Sequence, residues 1–364
     1  AIDVFDFTLT DGGTADGQEL SVSQIVLNVS GTASDMQRGS VTWRLNGPDT
    51  SNVAGVYNGG SDTITFSSLS ISVADGASET YTVNAYYNDN TNLTEGLTYI
   101  LSVDGDTDLT VGGSGTQMGA TSAVTNGTGS TVDVTATVLA FTTEPAGSTS
   151  GAALTTQPVV TAQDAFGNTD VDFAETVTVT EASAGTLTSG TVAAVSGVAT
   201  FSGLIYTATA DQQSFTITAN DDDGVGSDIA TTDASAVISD VVATMLAFDT
   251  QPVPLITPSG EATALTTVPV ASARDGANVV DTGYSTGITL TEVNGAGAAE
   301  MTATGDSDGS AATVTISPVS GVSTFTNMQL IYTVSGGSSE NFNLQASSGG
   351  LSTANSAQLT GVLS

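Results

Sequence analysis

The sequence predicts an all-β chain of three tandem immunoglobulin-like β-sandwich domains in an elongated array, and three observations predict it. The first is an internal duplication: Leu139-Ala140-Phe141-Thr142-Thr143-Glu144-Pro145 returns 107 residues later as Leu246-Ala247-Phe248-Asp249-Thr250-Gln251-Pro252. The second is rhythm. Short alternating runs are cut by Gly, Pro, Asn and Asp clusters every 8–12 residues or so, the spacing of a sandwich rather than of a helical fold. The third is composition: 39% of the 364 residues are hydrophobic and only 11% are charged. Most of the polar remainder is Ser, Thr, Gly and Asn, a mixture that suits half-buried pleated surfaces better than helices.

The first domain is expected over residues 1–136. Val4-Phe5-Asp6-Phe7-Thr8-Leu9 and the run from Leu20 to Val29 alternate, with the turn signal Asp11-Gly12-Gly13 between them. Val41-Thr42-Trp43-Arg44-Leu45 stops at Asn46-Gly47-Pro48, and Val53 to Tyr57 stops at Asn58-Gly59-Gly60. Thr63 to Phe66, Leu69 to Val73, Thr80 to Tyr87 and Thr98 to Val103 complete the strands. Gly112 to Ser130 reads as a terminal strand plus a connection. Trp43 lies in an alternating strand and reads as core, while adjacent Tyr86 and Tyr87 must point to opposite faces.

The second domain is expected over 137–243, with strands at Thr137–Thr142, Val159–Gln163, Thr176–Thr180, Gly190–Ala194, Val198–Ser202, Leu204–Ala208, Ser214–Ala219 and Ala236–Val241. Eight short strands in one such unit match an immunoglobulin-like sandwich. The third domain, 244–364, repeats the order: Thr176-Val177-Thr178-Val179-Thr180-Glu181 returns as Gly287-Ile288-Thr289-Leu290-Thr291-Glu292, and Val195-Ser196-Gly197-Val198-Ala199-Thr200-Phe201 as Val319-Ser320-Gly321-Val322-Ser323-Thr324-Phe325. Its extra residues fall mainly between Glu292 and Val319, which predicts a longer surface loop there.

Charge narrows the function. The formal net charge is −35, there is no Cys and no His, and the three basic residues are Arg38, Arg44 and Arg274. Without His or Cys there is no Ser-His-Asp triad, no Cys nucleophile and no ordinary zinc site. Without Lys there is no Schiff base and no P-loop lysine. Three Arg cannot line a phosphate groove, so no nucleic-acid partner is expected. No run of apolar residues reaches spanning length, so no membrane insertion is expected. Paired carboxylates can hydrolyse glycosides without His, but no Glu or Asp sits in a context that suggests a raised pKa, and aromatics, the usual platforms of a sugar cleft, are only 5% of the chain. The chain is read as no enzyme. No signal peptide is visible at Ala1-Ile2-Asp3-Val4, which leaves a removed leader or a segment of a longer protein as the expectation.

Leu-Ala-Phe-x-Thr-x-Pro, Gln157-Pro158-Val159-Val160, Gln163-Asp164-Ala165-Phe166-Gly167-Asn168 and Val-Ser-Gly-Val-x-Thr-Phe together resemble tandem bacterial Ig-like repeats of large secreted surface proteins and adhesins. The resemblance covers 137–364. Residues 1–136 resemble, more loosely, a β-rich module that accompanies such repeats. It implies a rod of sandwiches at the cell surface, stiffened by Ca²⁺ at domain junctions.

Two acidic clusters are candidate Ca²⁺ sites. Asp104, Asp106 and Asp108 alternate around Gly105, a pattern able to wrap hard oxygens round the ion, although it lacks the remaining loop and final Glu of an EF-hand. The alternative is a polar turn after the Thr98–Val103 strand. Asp164, Asn168, Asp170 and Asp172 form the second cluster, echoed by Asp275, Asn278 and Asp281 in the next repeat. The resemblance implies that this loop lies near a junction; an Asp/Asn turn is the alternative. Asp221-Asp222-Asp223-Gly224 with Asp228 reads as an exposed hairpin loop, and Asp306 and Asp308 as part of the inserted loop.

The reading is therefore a non-catalytic extracellular stalk, spacer or adhesin segment, stiffened by cations, whose partners are neighbouring copies or domains of the same protein. One alternative is a filament or surface-layer subunit that donates the strand Ile2–Leu9 to another copy's sheet edge. A second is a carbohydrate-binding module that meets surface glycans on the Trp43, Tyr57, Tyr81, Tyr86, Tyr87 and Tyr99 aromatics.

Overall fold

Strand makes up 51% of the chain and helix 3%, as composition and rhythm require. The computed structural model describes residues 1–13, 16–112, 118–188, 190–221, 228–254 and 256–363. By contacts the chain forms two compact units. One holds 1–138 with 161–174 and 195–198; the other holds 139–160, 175–194 and 199–364. The first boundary therefore does not follow the repeat edge, because two loop segments of the second repeat belong with the first unit.

In the first unit the strands are β1 (Ile2–Thr10), β2 (Leu20–Ser30), β3 (Val41–Gly47), β4 (Thr50–Asn58), β5 (Thr63–Phe66), β6 (Ile71–Val73), β7 (Ser78–Tyr87) and β8 (Thr98–Val103). They pair in the order β1-β7-β3-β4-β5-β2-β8, all antiparallel. β4 serves two partners: Val53–Gly55 face β3, and Val56–Asn58 face β5. The turn between the two sets falls at Gly55, where a Cβ would stand 2.6 Å from Ile64 and 2.7 Å from Phe66. Only a glycine lets the backbone lie that close to the core.

Alternation supplies that core. Val22, Ile25, Leu27, Trp43, Leu45, Ile64, Phe66, Tyr81 and Val83 are each at most 1% exposed. Fully burying one large apolar side chain contributes about 1.5–3 kcal/mol. Bulges adjust the pattern: a register shift between Asp3 and Phe5 turns both Val4 and Phe5 inward. β1 is thus an edge strand of its own chain's sheet, paired from Ile2↔Ala85 to Thr10↔Ser78. The residues after β8 differ from the expectation. Leu109–Gly112 forms an additional strand on β2, ahead of the stretch from Gly112 to Ser130 in which a terminal strand was expected.

A short helix, Asp35–Gly39, opens with a capping box in which Ser34 and Gln37 serve each other's backbone. It delivers Arg38, 7% exposed, to Asp62 at 2.5 Å.

In the second unit the two repeats share one topology. Ala152–Ala153, Ile205–Thr207 and Thr186–Thr188 pair in the order that Thr263–Ala264, Gln329–Thr333 and Ala298–Thr302 repeat. Thr191–Ala193, Thr176–Glu181 and Ile217–Asn220 correspond in the same way to Thr313–Ile316, Ile288–Val293 and Ser339–Ser347. Each core is centred on a stacked pair, Tyr206 on Phe215 at 3.7 Å and Tyr332 on Phe342 at 3.9 Å. The predicted insertion is a loop at 303–312 between Ala298–Thr302 and Thr313–Ile316. Asp306 orders it by accepting the Thr315 N–H at 3.0 Å, and Asp308 by accepting the Thr315 hydroxyl at 2.7 Å.

The Val-Ser-Gly-Val motif is a turn before it is a strand. Val195 bridges Val198, and Val319 bridges Val322. Ser196 and Gly197 have φ of 50° and 77°, Ser320 and Gly321 of 49° and 75°, the doubly left-handed pattern of a tight hairpin. The acidic run departs from its expected exposure: Asp221 is fully buried and accepts the Ile229 N–H at 3.1 Å. Asp222, Asp223 and Gly224 lie outside the described residues, and Asp228 is itself partnered.

Candidate cation site and the loop clasps

Asp164 begins a loop and spends its carboxylate on it. One oxygen accepts the N–H groups of Phe166 and Asn168, both at 2.9 Å, and the other accepts the Asn168 side-chain amide at 2.7 Å. Burial pushes its pKa up, but these donors outweigh burial and hold the carboxyl below its ordinary range. Asn168, 3% exposed, then turns to residues 90–93: its oxygen accepts the Leu93 N–H at 2.7 Å, and its amide donates to the Asn90 carbonyl at 2.6 Å. Asp170 accepts the Ala136 N–H at 2.9 Å with one oxygen and the N–H groups of Phe173 and Asp172 with the other. Three of the four residues in this cluster are therefore committed to backbone and amide donors.

Asp172 is the exception. Among the described residues, Glu95, Asp133 and Asp172 are the one acidic trio that offers oxygens all within 4.8 Å of one another. Glu95 accepts the Val171 N–H through one oxygen, and its other oxygen is buried with no hydrogen-bond partner. Burial drives the Glu95 pKa up; the Val171 N–H opposes this, and the negative charges of Asp170, Asp172 and Asp133 add to it. An orphaned carboxylate oxygen facing two further carboxylates fits a hard divalent cation, which seeks several oxygen ligands. Sequence reading missed Glu95 and Asp133 because they stand 77 and 39 residues from Asp172, in a stretch with no cluster of its own.

Asp104, Asp106 and Asp108 are not gathered in this way. Residues 105–108 form a single helical turn. Asp108 accepts the Asp104 N–H and the Asn28 amide, each at 2.8 Å, while Asp104 and Asp106 share the Thr121 hydroxyl.

The second unit carries the same clasp. Asp275 caps its loop through the N–H groups of Ala277 and Val279 at 3.0 and 2.8 Å. Asp281 accepts the Ala243 N–H at 2.9 Å, as Asp170 does for Ala136. The carboxylate that meets the following N–H comes from Asp211, which accepts from Thr282 at 3.0 Å. Asn278 has no clasp role: it is a turn residue at φ 69°, and its carbonyl accepts from Arg274 at 2.8 Å. The neighbourhood is also different in charge. Gly283 stands at the place of Asp172, and Gln212 donates its amide to Asp240 at 2.7 Å. Asp240 thus meets a neutral amide donor there.

The aromatic cluster is mostly internal. Trp43 is 1% exposed and meets Tyr99 edge-on at 5.9 Å, and the Tyr87 and Tyr99 hydroxyls lie 2.8 Å apart. Tyr86 faces out at 42% exposure, so the two tyrosines do point apart. Trp43 offers no open ring face for a sugar to stack on.

No protein-family model matches the chain, and no curated protein does. Solved structures give remote likenesses. A Parabacteroides merdae β-glucuronidase shows 11% identity over 61% of this chain and 24% of its own, with a TM-score of 0.18. The chicken CNTN1 FN1–FN3 domains show 9% identity over 96% and 97% of the two chains, with a TM-score of 0.23. The BSP domain of a biofilm associated protein shows 11% identity over 99% and 63%, with a TM-score of 0.22. The chain spans about a quarter of the glucuronidase. At such scores none of these likenesses carries an argument about activity.

Proposed function

We propose that the chain is a non-catalytic structural segment of an extracellular surface protein, an acidic spacer of three tandem sandwiches over 1–136, 137–243 and 244–364. The observation that carries this reading is the repeated clasp. Asp170 and Asp281 each hold the backbone N–H just before their own repeat, and Glu95 and Asp211 each reach the next N–H from the preceding sequence. A chain that fixes the entry to each repeat by the same hydrogen bonds is built to limit bending. The absence of His, Cys and Lys leaves carboxylates as its chemistry, and most of those described are occupied in holding backbone. A net charge of −35 keeps such a chain soluble at a surface and favours cation uptake.

Ca²⁺ belongs in this reading at Glu95, Asp133 and Asp172, where it would neutralise the buried Glu95 oxygen and draw three segments of chain together. Calorimetry tests both parts. Residues 139–160, 175–194 and 199–364 should melt as one transition that Asp211→Ala splits in two, with no metal involved. Ca²⁺ should raise the melting temperature of the first unit, and Glu95→Gln should abolish the rise. Independent melting of the two repeats in the native chain would remove the spacer reading.

A further inference from the structure

Arg44 is the one arginine that has no carboxylate partner among the described residues: Arg38 pairs with Asp62 and Asp35, and Arg274 with Asp249. In a chain with 38 acidic residues that isolation singles it out. Thr42, Arg44 and Asn46 alternate with the buried Val41, Trp43 and Leu45, so they share the outward face of β3. Across from them on β7, Tyr86 faces Thr42 and Asn84 faces Arg44. On the other side Arg44 faces the small, exposed Ala54 of β4. Tyr86, 42% exposed, is therefore a diagonal neighbour of Arg44, within reach of a long side chain. The guanidinium beside it holds the Tyr86 hydroxyl below its ordinary pKa.

The face is locked in place and rich in donors. Arg44 gives one N–H to the Asn52 carbonyl at 3.1 Å and keeps the rest of its fork. The Asn46 amide donates to the Asn84 oxygen, the Asn84 amide to Asp3, and the Asn46 oxygen accepts the Asn52 N–H at 2.8 Å. Each amide thus has its oxygen satisfied and a second N–H left over. Spare donors call for an acceptor-rich ligand, and a guanidinium fork matches a carboxylate in its own plane. β7 and β3 are interior strands of the order β1-β7-β3-β4, so neither offers a backbone edge to a peptide. A second copy would bring a charge of −35 against −35. A small ring with one carboxylate and otherwise neutral hydroxyls avoids both obstacles, and an exposed Tyr offers its ring face to the apolar side of a sugar. We propose that the outward face of β3 and β7 binds a hexuronic acid residue of a glycan, its carboxylate on the Arg44 fork, its hydroxyls on the Asn46 and Asn84 amides and its ring on Tyr86. Asp3, the acid that continues this row, stands two strands from Arg44, roughly 10 Å away, and already gives an oxygen to Asn84. Salt screens charges over about 8 Å at physiological strength, so its repulsion is weak. The site uses neither calcium nor the clasps, and it adds a ligand to the spacer reading without resting on it.

Arg38, Arg44 and Arg274 are the only arginines of the chain, so their Nε–H signals in an isotopically labelled sample read occupancy residue by residue. The full chain, kept in chelator at constant ionic strength, is titrated with methyl α-D-galacturonide and with methyl α-D-galactoside, which has a hydroxymethyl group in place of the carboxylate. The uronide should shift the Arg44 signal saturably and leave those of Arg38 and Arg274 in place. The galactoside should bind about tenfold more weakly, the worth of a hydrogen-bonded charge. A Gly-Asp-Gly peptide with blocked ends supplies a carboxylate without a sugar and should also bind about tenfold more weakly. Arg44→Lys keeps the charge but loses the fork, and should weaken the uronide several-fold as read at the Ala54 amide. Tyr86→Ala should weaken it several-fold at an unchanged melting temperature. No saturable shift at Arg44, equal binding of the galactoside or of the peptide, or full binding by Tyr86→Ala would each overturn the proposal. Melting with and without Ca²⁺ is unmoved by any of these outcomes, so a failure here leaves the spacer reading to its own test.

Discussion

Asp211 accepts both the backbone N–H of Thr282, at 3.0 Å, and its side-chain hydroxyl, and through its other oxygen it accepts the Val241 N–H at 2.8 Å. One carboxylate thus ties a loop of the second repeat to its own last strand and to the entry loop of the third. Removing it leaves the N–H groups of Thr282, Val241 and Gln212 and the Thr282 hydroxyl to find water. Asp211→Ala should destabilise the second unit by about 1–3 kcal/mol, the cost of stranding a partly buried hydrogen-bonded group. Thr282→Val, which loses only the hydroxyl contact, should cost less. Denaturant unfolding of both variants checks the order.

The two equivalent carboxylates should respond to pH with opposite sign. Burial pushes Asp211 up, but the hydrogen bonds from Thr282, Val241 and Gln212 outweigh it and hold its pKa below the ordinary value. Its contribution is present above the unfolded-state pKa and is lost as pH falls through the depressed folded value. Glu95 is raised, chiefly by burial, so its ionised form destabilises the fold at neutral pH. That burden is relieved as pH falls through the raised folded value toward the unfolded one. Mild acidification should therefore stabilise the first unit before stronger acid weakens the second. Carboxyl titration by NMR, with Glu95→Gln and Asp211→Asn as assignments, reads both directions. A depressed Glu95 without metal would count against the buried orphan oxygen.

Calcium should reverse the Glu95 shift. A cation bound among Glu95, Asp133 and Asp172 replaces mutual repulsion by attraction, so the Glu95 pKa should fall below its ordinary value in its presence. At one hundred times its Kd the ion should stabilise the first unit by about 2.7 kcal/mol. Asp172→Asn should weaken this strongly. Asp104→Asn and Asp108→Asn should leave it unchanged, because those carboxylates are spent on Thr121, Asn28 and backbone donors. A calcium response that follows Asp104 rather than Asp172 would place the ion at the wrong cluster.

How far the sequence speaks depends on the range of each interaction. Alternation is local, so Val41 to Leu45 and Val159 to Gln163 are legible as strands, and the burial of Trp43 and the outward turn of Tyr86 follow from parity alone. The loop caps made by Asp164 and Asp275 are local too, since their donors lie two to four residues on. What escaped is long-range. Asn168 reads as a turn amide, yet it is buried against Asn90 and Leu93. Asp221 sits in the densest acidic run but is pulled inside by the Ile229 N–H. Short pairings such as Ser148–Thr149 with Val237–Asp240 have too few residues to show a period.

The left-handed glycines of the repeated hairpin give the sharpest single-residue test. A Cβ on Gly197 would run into the carbonyl oxygen of Asp170, and one on Gly321 into that of Asp281. Each glycine also adopts a φ, 77° and 75°, that a side chain resists. The hairpin therefore packs its turn directly on the backbone of the clasp aspartate, and the two features constrain each other. Gly197→Ala should destabilise the first unit and Gly321→Ala the second, each by about 1–3 kcal/mol. Gly167→Ala provides the control: its φ of 86° is as strained, but nothing lies within 4 Å of the added carbon. If Gly197→Ala costs no more than Gly167→Ala, the loss is conformational alone and the turn does not support the clasp. A larger cost, with weaker protection of the Ala136 amide in hydrogen exchange, shows that the turn holds Asp170 in place.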